Sequence, residues 1–333
     1  MNFVVLGAGA IGCYLAGRLA AGGRRVALVG RPRTIDTLAA SGLEVSDLEG
    51  FKVHVAARQL NLASSLAAIH MPPPSVLLVC VNGAATESAA LEISACCPSG
   101  TTVVSLQNGI DNVARISAIA PRALALAAMV SFHVLMRTTS HVHRASAGKL
   151  HIASNGVSHE MALLLNACGL ATELVRDLRP LQWGKLLLNL SNPVNALAEL
   201  PLRAQLLDRD YRHALAGLQQ EALTVMRRAG IRPARLTVAP PQALPHILRL
   251  PNGLFKLLAA RMLRADASER TAMWNELPQA RATDLDELCA AVVQLAAQNG
   301  LQAPRSTAMC KLIAAHRKGL SSGGQELRRT ALP

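Results

Sequence analysis

Apolar runs of strand length recur along the first half of the chain, at Asn2 to Leu6, Arg25 to Val29, Val76 to Val81, Thr102 to Leu106, Leu124 to Val130 and Lys149 to Ala153. Bounded by glycine, proline and asparagine, they predict buried strands. The segments between them are long enough for crossovers, so the alternation predicts a parallel sheet. From Gln182 onward the period becomes helical, at Leu206 to Ala229, Gly253 to Ala265 and Asp284 to Gln298, with little strand signal. The change of character around Leu174 to Pro180 places an α/β domain over 1–178, a mostly helical domain over 179–320 and a mobile tail over 321–333. Pro240, Pro241, Pro245 and Pro251 predict an irregular connection within the helical part.

Composition agrees with two packed cores: 333 residues, 51% hydrophobic and 17% charged, are the make-up of a globular chain and not of a disordered one. The apolar run from Ala123 to Met136 is interrupted by Ser131 and His133 and falls short of the ~20 residues a membrane helix needs, and the N-terminus lacks a basic segment. A cytoplasmic location without a membrane partner is expected. The seven cysteines are scattered, which predicts reduced thiols and no metal site. A net charge of +13 raises nucleic acid as a partner, yet the basic residues are dispersed and two Trp, two Tyr and four Phe offer few rings to stack bases. That field fits small anionic ligands.

The first strand is followed directly by GAGAIG and then a helical pattern to about Ala21. In that setting Gly7 permits a tight turn, Gly9 lets a pyrophosphate approach the backbone, and Gly12 lets the helix pack on the strand. A dinucleotide-binding function follows. The second strand ends in Gly30-Arg31, where a ribose-binding acid is absent; Arg31, helped by Arg33, can pair with a 2′-phosphate, so NADPH is favoured over NADH. A solvated loop arginine is the plainer reading. Asn82-Gly83 and Gln107-Asn108-Gly109 follow two later strands, where ligands of open α/β sheets bind, although Asn-Gly is also an ordinary turn.

In the helical half, QWGKLLLNLSNPVN places Lys185, Asn189 and Asn192 at i, i+4 and i+7 of a predicted helix, an ammonium and two amides on one face among leucines. A cation in such surroundings either snorkels to solvent or serves a substrate with a lowered pKa. Among the histidines, His133 follows a predicted strand and is the rival proton donor to weigh, but a packed or hydrogen-bonded strand-end residue is the reading preferred for it.

The GAGAIG start, the arginine after the second strand, the VCVN and SLQNG strand ends, the K-x-x-x-N helix and the AMWNELPQARATDLDEL segment together resemble the ketopantoate reductase family over nearly the whole chain. The resemblance implies an N-terminal Rossmann-type doubly wound sheet followed by a mostly α-helical domain. It implies NADPH-dependent reduction of ketopantoate (2-dehydropantoate), or a similar 2-oxo acid, in pantothenate biosynthesis. It assigns Gly7, Ala8, Gly9, Ala10, Ile11 and Gly12 to the pyrophosphate, Arg31 to the 2′-phosphate, and Asn82, Asn108 and Asp284 to the cofactor. Lys185 becomes the proton donor, with Asn108, Asn189, Asn192 and Thr271 at the substrate. Departures from the family pattern are Asn82 for a lysine, Pro193 where the second helix asparagine belongs, Ala272 for a serine and Leu202 for an asparagine. Each removes a polar group, which leaves open a different 2-oxo acid, an opine-type dehydrogenase or a catalytically silent NADP(H) sensor. The apolar helical half could also bury a homodimer interface.

Overall fold

The computed structural model describes residues 1–258, 282–318 and 326–327, with the backbone alone at 282–286 and 317. The chain forms two compact units, Met1–Leu178 and one from Arg179 onward. No helix among the described residues is long and apolar enough to cross a membrane.

The first unit runs β1 (Asn2–Leu6), α1 (Ala10–Ala21), β2 (Val26–Val29), α2 (Pro32–Ser41), β3 (Leu43–Asp47), β4 (Lys52–Val55), β5 (Asn61–Ala63), β6 (Ser75–Val79) and α3 (Thr86–Cys96). It continues through β7 (Thr102–Ser105), α4 (Asn112–Ile119), β8 (Leu124–Val130), β9 (Val134–Thr138), β10 (His141–Arg144), β11 (Leu150–Ala153), α5 (Ser158–Ala167) and β12 (Thr172–Val175). Eight strands make one sheet in the order β12-β11-β8-β7-β6-β1-β2-β5. From β5 to β8 all neighbours are parallel, and the strand order reverses between β1 and β6. That is the dinucleotide-fold topology, with its ligand crevice at the switch point. Strands buried on both faces need apolar residues at every position, which is why Val4, Val5, Leu77, Leu78, Val103 and Val104 are each at most 3% exposed.

Two features differ from the parallel alternation expected. Strand β11 runs antiparallel to β8, because the chain between them forms a hairpin, not a crossover helix. That hairpin, β9 and β10, joins β3 and β4 in a second sheet of order β4-β3-β10-β9. The second sheet covers the outer side of α1, where Gly17 is essential to the fit: a Cβ there would lie 2.2 Å from Val45 Cγ2. Asp47 pins this junction, accepting from Arg18 Nη1 at 3.0 Å and from Arg144 Nη2 at 3.4 Å, all three side chains being buried.

The second unit comprises α6 (Arg179–Asn189), α7 (Ser191–Ala198), α8 (Leu202–Leu207), α9 (Arg209–Arg228), α10 (Leu244–Leu248), α11 (Asn252–Leu258), α12 (Ala282–Gln298) and α13 (Pro304–Arg317). Helix α9 is its axis. Asp208 caps it through the Asp210 amide, and its buried stripe of Tyr211, Leu215, Leu218, Ala222, Val225 and Met226 meets α6, α7, α8, α10, α12 and α13. Arg212, fully buried, donates to the carbonyls of Leu206, Leu248 and Leu250 and to Asn252 Oδ1 at 2.8–3.0 Å, with its guanidinium 4.3 Å from the centre of the Phe255 ring. The negative ends of α8 and α10 thus supply the counter-charge. Arg212→Met leaves those carbonyls buried without a donor, and a loss of roughly 3–5 kcal/mol in urea unfolding is expected.

Candidate functional site

The loops at the switch point are in contact. Gly7, at φ +115°, lies so near the end of β6 that a Cβ would stand 2.7 Å from both the Cys80 carbonyl carbon and the Val81 nitrogen. At Gly12 a Cβ would fall 1.9 Å from the Gly7 carbonyl oxygen, and at Gly30 one would fall 2.4 Å from the Ala8 Cβ. Gly9 is the exception: it is exposed, its backbone is extended, and no atom lies within 4 Å of where its Cβ would be. Gly9 precedes α1, whose first-turn amides have no intrahelical acceptor and no acidic side chain beside them. The loop therefore offers open space and amide hydrogens for an anion, which are the requirements of a pyrophosphate.

Arg31 leads directly into α2, whose first turn also lacks an acid; Arg31 and Arg33 are both exposed. Because Gly30 abuts Ala8, this arginine pair stands next to the glycine loop. Asn82 is half-buried after β6 and Asn108 is exposed after β7. Behind these two lie the buried side chain of Gln107, which the strand end singled out, and those of Thr86, Ser105 and Asn112, which the sequence did not single out. Their only sequence signal was polar residues at the end of an apolar strand and at two helix starts.

Lys185 stands in the middle of α6, half-buried, between the buried pairs Trp183-Gly184 and Leu186-Leu187. Gly184 is where the chain at Ala234 crosses the helix: a Cβ would lie 2.6 Å from the Ala234 carbonyl, and the Ala234 amide donates to Pro180 at 2.7 Å. Burial strips water from the Lys185 ammonium and lowers its pKa from 10.5 to about 8. Such a group is still mostly protonated at neutral pH yet gives up its proton far more easily than a surface lysine.

Asn189 ends α6, one turn beyond Lys185. The single helix expected through Asn195 is interrupted at Leu190, because Pro193 has no N–H for the Asn189 carbonyl and its ring crowds it. Side chains take over the carbonyls of the last turn: Gln219 Nε2 donates to Leu187 and Ser191 Oγ to Leu188, each at 3.0 Å. Asn192 consequently belongs to α7 and not to the helix of Lys185, and it is exposed. The backbone of Asp284 is in the first turn of α12. Thr271, like Ala272 and most of the AMWNELPQARATDLDEL segment, lies outside the described residues. His133 is exposed, its amide bound to Ser146 Oγ at 2.8 Å, and Leu202 opens α8.

Residues 3–156 match the family described as Ketopantoate reductase PanE/ApbA, and residues 177–317 match its C-terminal counterpart. The chain is 24% identical over 332 residues to a 2-dehydropantoate 2-reductase of Pyrococcus horikoshii, covering 98% of this chain and 100% of that one. It is 25% identical over 324 residues to the 2-dehydropantoate 2-reductase of Mycobacterium tuberculosis, covering 96% and 98% respectively. A PanE/ApbA family ketopantoate reductase from Ralstonia eutropha JMP134 superposes with a TM-score of 0.76 at 23% identity, over 96% of this chain and 99% of that one. A D-mandelate dehydrogenase solved with NADH and anilino(oxo)acetate superposes with a TM-score of 0.74 at 15% identity, over 96% and 99%. With both family segments matched in order across two units, one wound as a dinucleotide fold and the other helical, the chain belongs to the ketopantoate reductase family.

Proposed function

We propose that the protein is an NADPH-dependent reductase that converts 2-dehydropantoate, or a similar 2-oxo acid, to the 2-hydroxy acid. Membership of the family supports the coarser statement that it is an oxidoreductase. The observation that carries the finer reading is Lys185, an ammonium held at a pKa of about 8 on a helix among leucines. Reduction of a ketone needs a hydride at carbon and a proton at oxygen. NADPH, when bound, supplies the hydride. Lys185 polarises the carbonyl oxygen and delivers its own proton as the alkoxide forms. Asn189, one turn along the same helix, orients the substrate, aided in this reading by Asn108, Asn192 and Thr271.

For the cofactor, Gly7 to Gly12 and the first amides of α1 hold the pyrophosphate, with Asn82, Asn108 and Asp284 as further contacts. Arg31, with Arg33 beside it, takes the 2′-phosphate. Arg31→Ala is expected to weaken NADPH binding by about tenfold while changing NADH binding by less than about twofold, a difference in a charge-assisted contact that fluorescence titration of the two nucleotides reads directly. Equal losses for both would place Arg31 on a part common to the two nucleotides, and no loss for either would assign it to solvent.

A second reading, reduction of a bulkier or less polar 2-oxo acid, is favoured by the replacement of polar family positions by Pro193 and Leu202. The neighbouring D-mandelate dehydrogenase, whose bound molecule is an oxo acid with an aromatic substituent, supports keeping it. Steady-state rates on ketopantoate and on smaller and bulkier 2-oxo acids, with NADPH and NADH in parallel, decide between them. Tight NADPH binding with no turnover on any oxo acid, with or without an amine present, refutes the reductase.

A further inference from the structure

We propose that Thr86, Gln107 and Asn112 are positioning residues that lock the Asn82 and Asn108 loops to each other, and so set the cofactor and substrate contacts of the site; the inference rests on the reductase reading. The four side chains behind these loops are nearly sealed from solvent: Thr86 is 0% exposed, Asn112 and Ser105 4%, and Gln107 8%. They form one continuous hydrogen-bonded chain. Ser105 Oγ donates to Gln107 Oε1 at 3.0 Å, and Gln107 Nε2 donates to Thr86 Oγ1 at 2.8 Å and towards the Asn82 carbonyl at 3.4 Å. Thr86 Oγ1 donates in turn to Asn112 Oδ1 at 3.1 Å, and Asn112 Nδ2 to the Asn108 carbonyl at 2.7 Å.

The polarity of this chain is fixed throughout. Thr86 has a single proton; once it accepts from the Gln107 amide, that proton must go to Asn112, whose NH2 is then left facing the Asn108 carbonyl. Turning either amide over would set its oxygen against the backbone carbonyl of Asn82 or Asn108, acceptor against acceptor in a place water does not reach, at the cost of an unmet polar group. From the Ser105 hydroxyl the chain reaches two backbone carbonyls, of Asn82 through Gln107 Nε2 and of Asn108 through Asn112 Nδ2, and these belong to the two residues assigned above to ligand contacts. Thr86 and Asn112 are also the first residues of α3 and α4, so each loop is tied to a rigid helix as well as to the other loop. A merely structural polar core has no reason to terminate at both of those loops.

Thr86→Val keeps the shape and deletes the relay, while Thr86→Ser keeps the relay. Thr86→Val is expected to raise the NADPH dissociation constant and the oxo-acid KM by about tenfold each, with kcat changed by less than about threefold, and Thr86→Ser to return both to within about twofold of wild type. Amide exchange over residues 107–111 of the nucleotide-free protein is expected to quicken about tenfold in Thr86→Val, without change in α5. Should Thr86→Val not fold, Gln107→Met carries the same test. A folded variant with wild-type nucleotide affinity, KM and exchange overturns the relay and leaves the reductase intact. A wild-type protein that neither binds NADPH nor reduces any oxo acid overturns the reductase reading, and the exchange rates then decide by themselves whether the relay orders the loops.

Discussion

Turnover of the Lys185→Ala variant is expected to fall by roughly 10² to 10⁴-fold, the range lost when a positioned acid is removed, with NADPH affinity within about twofold of wild type. The split follows from the two roles in the proposed mechanism, where the first unit's loops hold the hydride source and the lysine supplies only charge stabilisation and a proton. With Lys185 as the proton donor, the wild-type rate of reduction is expected to be level below pH 8 and to drop tenfold per unit above it, since burial lowers the Lys185 pKa to about 8. Lys185→Arg, which stays protonated, loses rate through its shape but shows no such limb. A wild-type profile flat to pH 10, or an alanine variant with most of its rate, removes Lys185 from the mechanism.

The same desolvation makes an independent prediction about stability. Below pH 8 the lysine is charged in both states, and the folded state bears the full cost of a poorly solvated ammonium. Between about 8 and 10.5 the unfolded chain holds the proton that the folded one has released, so stability rises with pH across that window. Lys185→Met removes the penalty, and a gain of up to about 3 kcal/mol at pH 7 is expected, shrinking above pH 8 and gone near 10.5. Thermal melts at pH 7 and 10 check the sign. A variant that melts lower than wild type at pH 7 would mean that the amine is stabilising where it stands.

The dinucleotide half was legible because full burial writes itself into sequence: strands covered on both faces must be apolar throughout, and the GAGAIG loop must be glycine wherever backbone meets backbone. The second sheet was not legible, for the converse reason. In β3 and β4 the buried Leu43, Val45 and Val55 alternate with Glu44, Lys52 and His54, and such short mixed runs pass for loops. One sign of that sheet was available. Nine of the twelve residues of α1 are buried, so its sequence had no polar face, as a helix covered on two sides requires. Helical spacing alone predicts one helix through Asn195, and Pro193, which has no N–H for the Asn189 carbonyl, divides it. The Thr86 relay escaped because its members are far apart in sequence and individually ordinary, and only the touching of two loops makes them a unit.

Two glycines of one motif, three residues apart, should fail in different ways. Gly9→Ala introduces a methyl group into open space at an extended residue, so folding stability should change by no more than a few tenths to about 1 kcal/mol, the usual range for a helix N-cap. In the proposed binding mode the methyl lies where the pyrophosphate approaches, and NADPH affinity should fall by at least about tenfold, or 1.4 kcal/mol. Gly12→Ala has no such latitude. Its Cβ would overlap the Gly7 carbonyl at 1.9 Å, and that carbonyl cannot retreat because Gly7 is itself wedged against Cys80 and Val81. Overpacking of rigid backbone costs roughly 3 kcal/mol or more, so this variant should lose stability and nucleotide binding together. Urea unfolding and NADPH titration on the two proteins separate a cradle from a packing contact. If Gly9→Ala binds NADPH as wild type does, the space above that residue is not where the pyrophosphate goes, and the nucleotide assignment of the whole loop falls with it.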